Sequence, residues 1–329
     1  MKKLNLVALM AMSMSVSMLG GCSSAKNTIG ILYPVEHVAL KSAADGFVEG
    51  LKEAGLQEGT DFAINSKNAG GDEASLQSLA KDLIVSSSMT LGLGTGATKA
   101  LKSASIDAGK TNPIMFTAVT DPVGAKLVEK AENGSGYVTG ASDAQPIELQ
   151  LSLIKRVLPD ADKIGVIYSS DEENSVVQAN QVKAAGAALG FVVETKTVSS
   201  PAEISAAATA LASIDGLDAM YIPTDNRIAA NMNAIKDACN AKGVLAVCGE
   251  FGEVETGGHI SYSFDYKMLG KETGKMAAQI LKGEKEAKDL PVLFMKADQC
   301  EIRYSSANLA GSGIELPETL KAEAKDVNA

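Results

Sequence analysis

The chain contains no tryptophan, two histidines and four cysteines, and aromatic side chains make up only 4% of its 329 residues. Without tryptophan, a sugar-stacking platform would have to come from Tyr or Phe, which tilts the reading away from carbohydrate. The histidines, His37 and His259, lie in no motif that points to a Ser or Cys nucleophile, and no G-x-S-x-G elbow occurs. The cysteines, Cys22, Cys239, Cys248 and Cys300, show no CxxC or Cys/His spacing of a zinc site. The last three are expected as buried, inert thiols, with one disulfide at most. Acidic residues are spread one or two to a loop, so no metal site is expected. Basic charge is short as well: 30 Lys and Arg against 40 Asp and Glu give a net charge of −10. A negative chain has no basic face to neutralise phosphates, which excludes nucleic acid as a partner and disfavours broad adhesion to anionic lipid.

The apolar stretch from Leu4 to Leu19 is too short, and too interrupted by Ser13, Ser15 and Ser17, to span a bilayer comfortably. It follows Lys2 and Lys3 and closes on Leu19-Gly20-Gly21-Cys22, which reads as an export signal. Small residues directly before Cys22 resemble the lipobox of bacterial lipoproteins. Cys22 is therefore the expected lipidation site and first mature residue, with residues 1–21 as signal and 22–28 as tether outside the cytoplasmic membrane.

The remainder repeats itself. Ile29-Gly-Ile-Leu-Tyr33 recurs 135 residues later as Ile164-Gly-Val-Ile-Tyr168, each a β-rich apolar run suited to a buried parallel strand. After the first, Leu40, Ala43, Ala44, Phe47 and Leu51 share one helix face, and Gly55 and Gly190 end the two helices at matching positions. The spacing predicts further strands at 62–65, 89–93 and 114–119 in one half and 191–196, 219–222 and 245–248 in the other. Helices are expected at 73–85 and 202–211, then a strand at 259–264, a helix at 267–282 and an extended 292–295. Such alternation means α/β architecture: two Rossmann-like lobes with parallel sheets. The boundaries fall at 29–141 for the N-terminal lobe and 142–262 for the C-terminal lobe. Residues 263–329 supply crossovers and elements completing both, with an earlier crossover at Thr139–Asp143.

In open parallel sheets a ligand sits beyond the carboxyl ends of the strands. The loops there carry small hydroxyls, carboxylates and helix starts from both halves, chemistry that suits a zwitterion. The expected ligand-binding residues are Glu36, Thr95, Thr120, Asp121 and Ser142 from the first half and Asn174, Ser175, Asp225 and Asp265 from the second. Asp225 and Asp265 are the candidates for an ammonium, and the Thr95-Gly96 backbone, in the loop read at Gly94–Thr98 after the third strand, for a carboxylate. Thr95, Ser175 and Thr224 serve equally well as helix caps. His37 reads as a supporting or capping residue. Gly92-Leu-Gly94-Thr-Gly96-Ala97 fits a loose dinucleotide pattern, but it follows the third strand instead of the first, so no cofactor is expected.

The chain resembles the lipoprotein substrate-binding components of ABC importers of the TrpX type. The resemblance rests on Ile29-Gly-Ile-Leu-Tyr-Pro-Val-Glu-His37, Gly46-Phe-Val-Glu-Gly-Leu-Lys-Glu-Ala-Gly55, Phe116-Thr-Ala-Val-Thr-Asp-Pro-Val-Gly124 and Thr139-Gly-Ala-Ser-Asp143. It continues in Tyr221-Ile-Pro-Thr-Asp-Asn226 and Leu269-Gly-Lys-Glu-Thr-Gly-Lys-Met-Ala-Ala278. It implies a type I periplasmic-binding-protein fold, no catalysis, an aromatic amino acid as ligand, and an ABC permease with its ATPase as partners of a lipid-anchored monomer. A sensor, a nucleoside or sugar binder, or a surface adhesin of the same fold stays open. The chain departs from the family at Gly249-Glu-Phe-Gly-Glu-Val-Glu255, where relatives carry Gly-Asp or Gly-Ala-Asp. Phe251 there is placed to stack on a flat ligand or to close the hinge side of the cleft.

Overall fold

The computed structural model describes residues 25–329; the signal segment and Cys22 lie outside the described residues. Five strands come first: β1 (Asn27–Tyr33), β2 (Phe62–Asn68), β3 (Met89–Leu93), β4 (Ile114–Val119) and β5 (Val138–Ser142). Then follow β6 (Lys163–Ser169), β7 (Val192–Val198), β8 (Ala219–Ile222), β9 (Leu245–Cys248) and β10 (Ile260–Ser263). Three short strands end the series: β11 (Leu293–Phe294), β12 (Glu301–Tyr304) and β13 (Lys325–Asp326). They form two sheets, ordered β11-β5-β4-β3-β1-β2 and β13-β12-β10-β9-β8-β6-β7. Every pairing is parallel except that of β10 with β12. Strands covered on both faces must be apolar throughout, which is why β3, β4, β8 and β9 are buried along their whole length.

The helices are α1 (Val38–Glu53), α2 (Glu73–Ser86), α3 (Gly94–Asp107), α4 (Ile147–Val157), α5 (Glu173–Ala188) and α6 (Ile204–Ala212). They continue as α7 (Asn226–Ala229), α8 (Met232–Lys242), α9 (Phe251–Thr256), α10 (Tyr266–Leu281), α11 (Ser306–Leu309) and α12 (Glu318–Lys321). None is long and apolar enough to cross a membrane. Each sheet has a core on both faces: Ile29 and Ile31 of β1 point into one, Leu32 into the other.

The repeated strand motif has a packing reason. A Cβ on Gly30 would lie 2.9 Å from Leu83 of α2, and one on Gly165 would lie 2.8 Å from Leu211 of α6. Both glycines let a helix close on the strand that opens its lobe. A second close approach joins α1 to α10. A Cβ on Gly46 or Gly50 would sit 2.0 or 2.1 Å from the carbonyl of Lys267 or Lys271, and on Gly270 or Gly274 1.9 or 2.1 Å from that of Ala43 or Phe47. The two backbones touch along this seam. Glu49 and Glu53 flank it with ion pairs to Lys267, Lys271 and Lys275.

The chain passes between the sheets at 143–146, 264–265 and 295–300, so α10 and β11 return to the first lobe. Two expectations need correcting. Thr139–Ser142 is not crossover but part of β5, and the crossover starts at Asp143. Gly94–Thr98, read as a loop, is the first turn of α3, because β3 runs directly into the helix through Gly94 at φ +79°. Helices α3, α4, α7, α8, α9, α11 and α12 are additional to those the periodicity indicates. Cys239 and Cys248 are buried and Cys300 partly so; none is in a disulfide. Burial pushes the Cys239 thiol up to about 12 and Cys248 well above its usual range.

Candidate functional site

The ends of the parallel strands of both sheets converge on one enclosed space. His37 reaches it from the turn after β1, Leu40 from the first turn of α1, Ala118 from β4, Asp143 from the first crossover and Tyr266 from the start of α10. From the other side come Asn174 at the start of α5, Thr224, Asn226 and Ala229 after β8, and Glu250 and Glu253 after β9. The space is about 10 Å³, room for a single water, so a larger ligand is admitted only as the lobes part. Ala118 holds a left-handed φ of +58° where the β4–β5 register shifts, a strained residue of the kind that collects at binding sites.

The polar lining is held in place from behind. Asp143 accepts hydrogen bonds from Thr120 Oγ1 at 3.0 Å and Tyr266 Oη at 2.6 Å, which ties the crossover to α10. Burial nonetheless raises its pKa. Glu172, before α5, accepts from Asn226 Nδ2 at 2.7 Å and from the backbone N–H of Asn226 and Arg227. Burial, with Asp225 nearby, pushes it up to about 7. Asn226 Oδ1 in turn faces His37 Nε2 at 3.2 Å, a contact from one lobe to the other. Because Asn226 spends its amide on Glu172, the His37 ring donates through Nε2 and leaves Nδ1 as an acceptor. That Nδ1 is buried with no partner, as are Thr224 Oγ1 and Glu253 Oε1. Desolvation holds His37 neutral, down to about 4. Glu250 caps α9 through the N–H groups of Gly252 and Glu253, yet burial pushes it up to about 8. Glu253 is pushed well above the usual carboxylate range by burial and by Glu250.

Of the residues expected from the sequence, Asn174 lines the space directly. Thr120 and Ser142 stand behind it, Thr120 bonding Asp143 and Ser142 Oγ donating to the Thr120 carbonyl at 3.1 Å. Thr95 is buried in the first turn of α3 with its hydroxyl unpartnered. The rest do not line it. Asp225 is turned into its own lobe, where Ser169 N, Ser169 Oγ and Ile228 N occupy its carboxylate at 2.6, 2.9 and 2.9 Å, and Ser175 adds a further bond. Asp265 caps α10 through Lys267 N and faces Arg303. Asp121 closes a turn onto Gly124 N, and Glu36 is exposed beside His37. Phe251 is buried and its ring lies 4.1 Å beneath the Arg303 guanidinium, so it offers no free face to a ligand. The other polar lining residues are His37, Asp143, Thr224, Asn226, Glu250, Glu253 and Tyr266. The departure at Gly249–Glu255 was the available signal for two of them.

The family profile described as "ABC transporter substrate binding protein" matches residues 28–328. The chain belongs to the ABC transporter substrate-binding protein family. A curated relative, "Tyrosine-binding protein" of Clostridioides difficile (strain R20291), is 33% identical over 306 residues, covering 88% of this chain and 86% of its own. Among solved structures of such substrate-binding proteins, the ABC domain from Streptococcus pneumonia in complex with L-Trp is 33% identical. It covers 92% of this chain and 99% of its own, with a TM-score of 0.84. A substrate-binding protein with adhesive properties from Clostridium difficile, in its ligand-free, open form, is 31% identical over the same shares, with a TM-score of 0.68. The two lobes are those of the type I periplasmic-binding-protein fold. As a substrate-binding protein of this family, the chain has a small-molecule ligand, an ABC transporter as partner and an extracytoplasmic place of work.

Proposed function

We infer that this substrate-binding protein captures an aromatic amino acid between its lobes and delivers it to the permease of an ABC importer. The observation that carries the reading is the lobe arrangement. At nearly equal identity, the chain matches the L-Trp complex at a TM-score of 0.84 and the ligand-free open form at 0.68. A site whose walls come from both lobes favours closure when a ligand bridges them, and the closed form docks on the permease. The unpartnered His37 Nδ1, Thr224 Oγ1 and Glu253 Oε1 are hydrogen-bonding positions for such a ligand, and the Tyr266 ring supplies the aromatic wall. Cys22 carries the lipid that tethers the protein, which acts as a monomer. The binding residues are His37, Asp143, Asn174, Thr224, Asn226, Glu253 and Tyr266, with Thr120 and Ser142 positioning Asp143.

A thermal-shift screen of the chain from Ser23 onward, against amino acids, nucleosides and sugars, tests this. A ligand at a hundred times its dissociation constant adds about 2.7 kcal/mol, a shift of several degrees. Shifts confined to Tyr, Trp or Phe support the reading; a shift with nucleosides or sugars alone overturns the ligand. The adhesive properties of the Clostridium difficile protein favour surface attachment as a second role. Binding of the purified chain to host-cell surfaces with and without amino acid would establish it.

A further inference from the structure

The lining collects negative charge without a counter-ion. Asp143, Glu250 and Glu253 meet at the space, Glu172 and Asp225 stand behind it, and among the described residues no lysine or arginine lines it. Two arginines of the same lobe are paired elsewhere: Arg303 lies over the Phe251 ring and pairs with Glu301 and Asp265, and Arg227 is turned to Asp171. Glu253 is fully buried and lines the space; its Oε2 accepts from Gly249 N at 3.1 Å, while its Oε1 has no partner. The groups around it are acidic or neutral. Glu250 caps its helix and Glu255 lies on it, Cys248 and Tyr221 lie on β9 and β8, and Asp225 caps α7. Across the space stand the Tyr266 hydroxyl and the neutral His37 ring. Burial, with the Glu250 and Asp225 carboxylates nearby, favours the uncharged form, so Glu253 rests as the neutral acid.

We propose that ligand capture is coupled to proton release: an ammonium group enters beside Glu253 Oε1 and displaces the carboxyl proton into solvent. The O–H bond of the acid breaks, the carboxylate accepts an N–H from the incoming ammonium, and the proton passes to buffer, with no change of oxidation state. The site therefore selects a cationic nitrogen, and the inference rests on the amino-acid reading above. The sign follows from the stoichiometry. Binding that sheds a proton strengthens as pH rises, by up to ~tenfold per pH unit while the free protein still holds that proton.

Isothermal titration of L-tyrosine and L-tryptophan into the protein, in phosphate and in Tris at one neutral pH, decides the matter. The observed heats should differ between the buffers by the ionisation of up to one proton per ligand, and affinity should climb from pH 6 to pH 8. Glu253→Gln, nearly isosteric, should bind with buffer-independent heat and a flat pH profile. Binding of equal heat in both buffers overturns the proposal and leaves the amino-acid reading intact, and so does proton release undiminished in Glu253→Gln. The buffer comparison on the unmodified protein stands even where the variant fails to fold. If neither amino acid binds, that reading falls and tyramine, an ammonium without the carboxylate, becomes the probe. Buffer-dependent heat with tyramine then upholds proton exchange; buffer-independent heat, or none, ends it.

Discussion

Replacing Gly270 by alanine should destabilise the first lobe, although alanine is the better helix former. The new Cβ would stand 1.9 Å from the Ala43 carbonyl, and that oxygen belongs to the backbone of α1, not to a flexible side chain. Relief requires the two helices to part by over an ångström. Overpacking of this kind costs about 3 kcal/mol, and the higher helix propensity of alanine returns about 1 kcal/mol, leaving a net loss of about 2 kcal/mol. The flanking Glu49 and Glu53 ion pairs are largely exposed and change the sum little. The molecule contains its own control: a Cβ on Gly96 in α3 would meet only Leu76, at 3.9 Å, so Gly96→Ala should be neutral or stabilising by up to about 1 kcal/mol. Urea midpoints of both variants against the parent measure the difference. The reasoning is refuted if Gly270→Ala and Gly96→Ala move the midpoint in the same direction. Because α1 begins beside His37 and α10 begins at Tyr266, the same substitution should also weaken ligand binding by shifting two walls of the space.

Asn226→Ala removes the buried bridge from Glu172 to His37, a loss of about 1–3 kcal/mol by the usual cost of an orphaned buried group. The open form should gain population, read as a larger radius of gyration in X-ray scattering without ligand; an unchanged radius would dismiss the bridge. The exposed Lys99–Glu173 pair also crosses between the lobes, and Lys99→Ala should have little effect on that radius. Stability should fall at both ends of the pH scale. Glu250 goes from 4.5 unfolded to about 8 folded, so its protonated form is favoured by folding and its contribution is lost as pH rises from 4.5 through 8. His37 and His259 go from 6.5 down to about 4, so theirs is lost as pH falls through that window. Each group changes stability by at most about 1.4 kcal/mol per pH unit. Urea midpoints at pH 6 and 8 should converge in Glu250→Gln, and an undiminished difference would remove Glu250 as the cause.

Most strands were legible almost to the residue, since a strand buried on both faces writes its burial as an unbroken apolar run; β5, read as crossover, and β12 and β13 were not. Met89–Leu93, Ile114–Val119, Ala219–Ile222 and Leu245–Cys248 stand where the pattern placed them. Helices following glycine were harder, because Gly94 and Gly96 read as loop in isolation while β3 hands directly into α3. The site was legible as a place and not as a set of side chains. Strand ends located the loops, but which way a carboxylate turns depends on partners distant in sequence. Asp225 is claimed by Ser169, 56 residues away, whereas Glu253 has one oxygen left free. Asp143 sat inside a motif already singled out; only the closure of Thr120 and Tyr266 onto it gives it a role.

The three passages between the sheets also govern how the protein is made. The first lobe draws on residues up to Phe294 and the second on residues up to Asp326. A nascent chain therefore cannot finish either sheet until nearly all of it has been synthesised. Pairings of this sequence separation form late and slowly. The two lobes are therefore completed at nearly the same moment, late in synthesis, instead of one after the other.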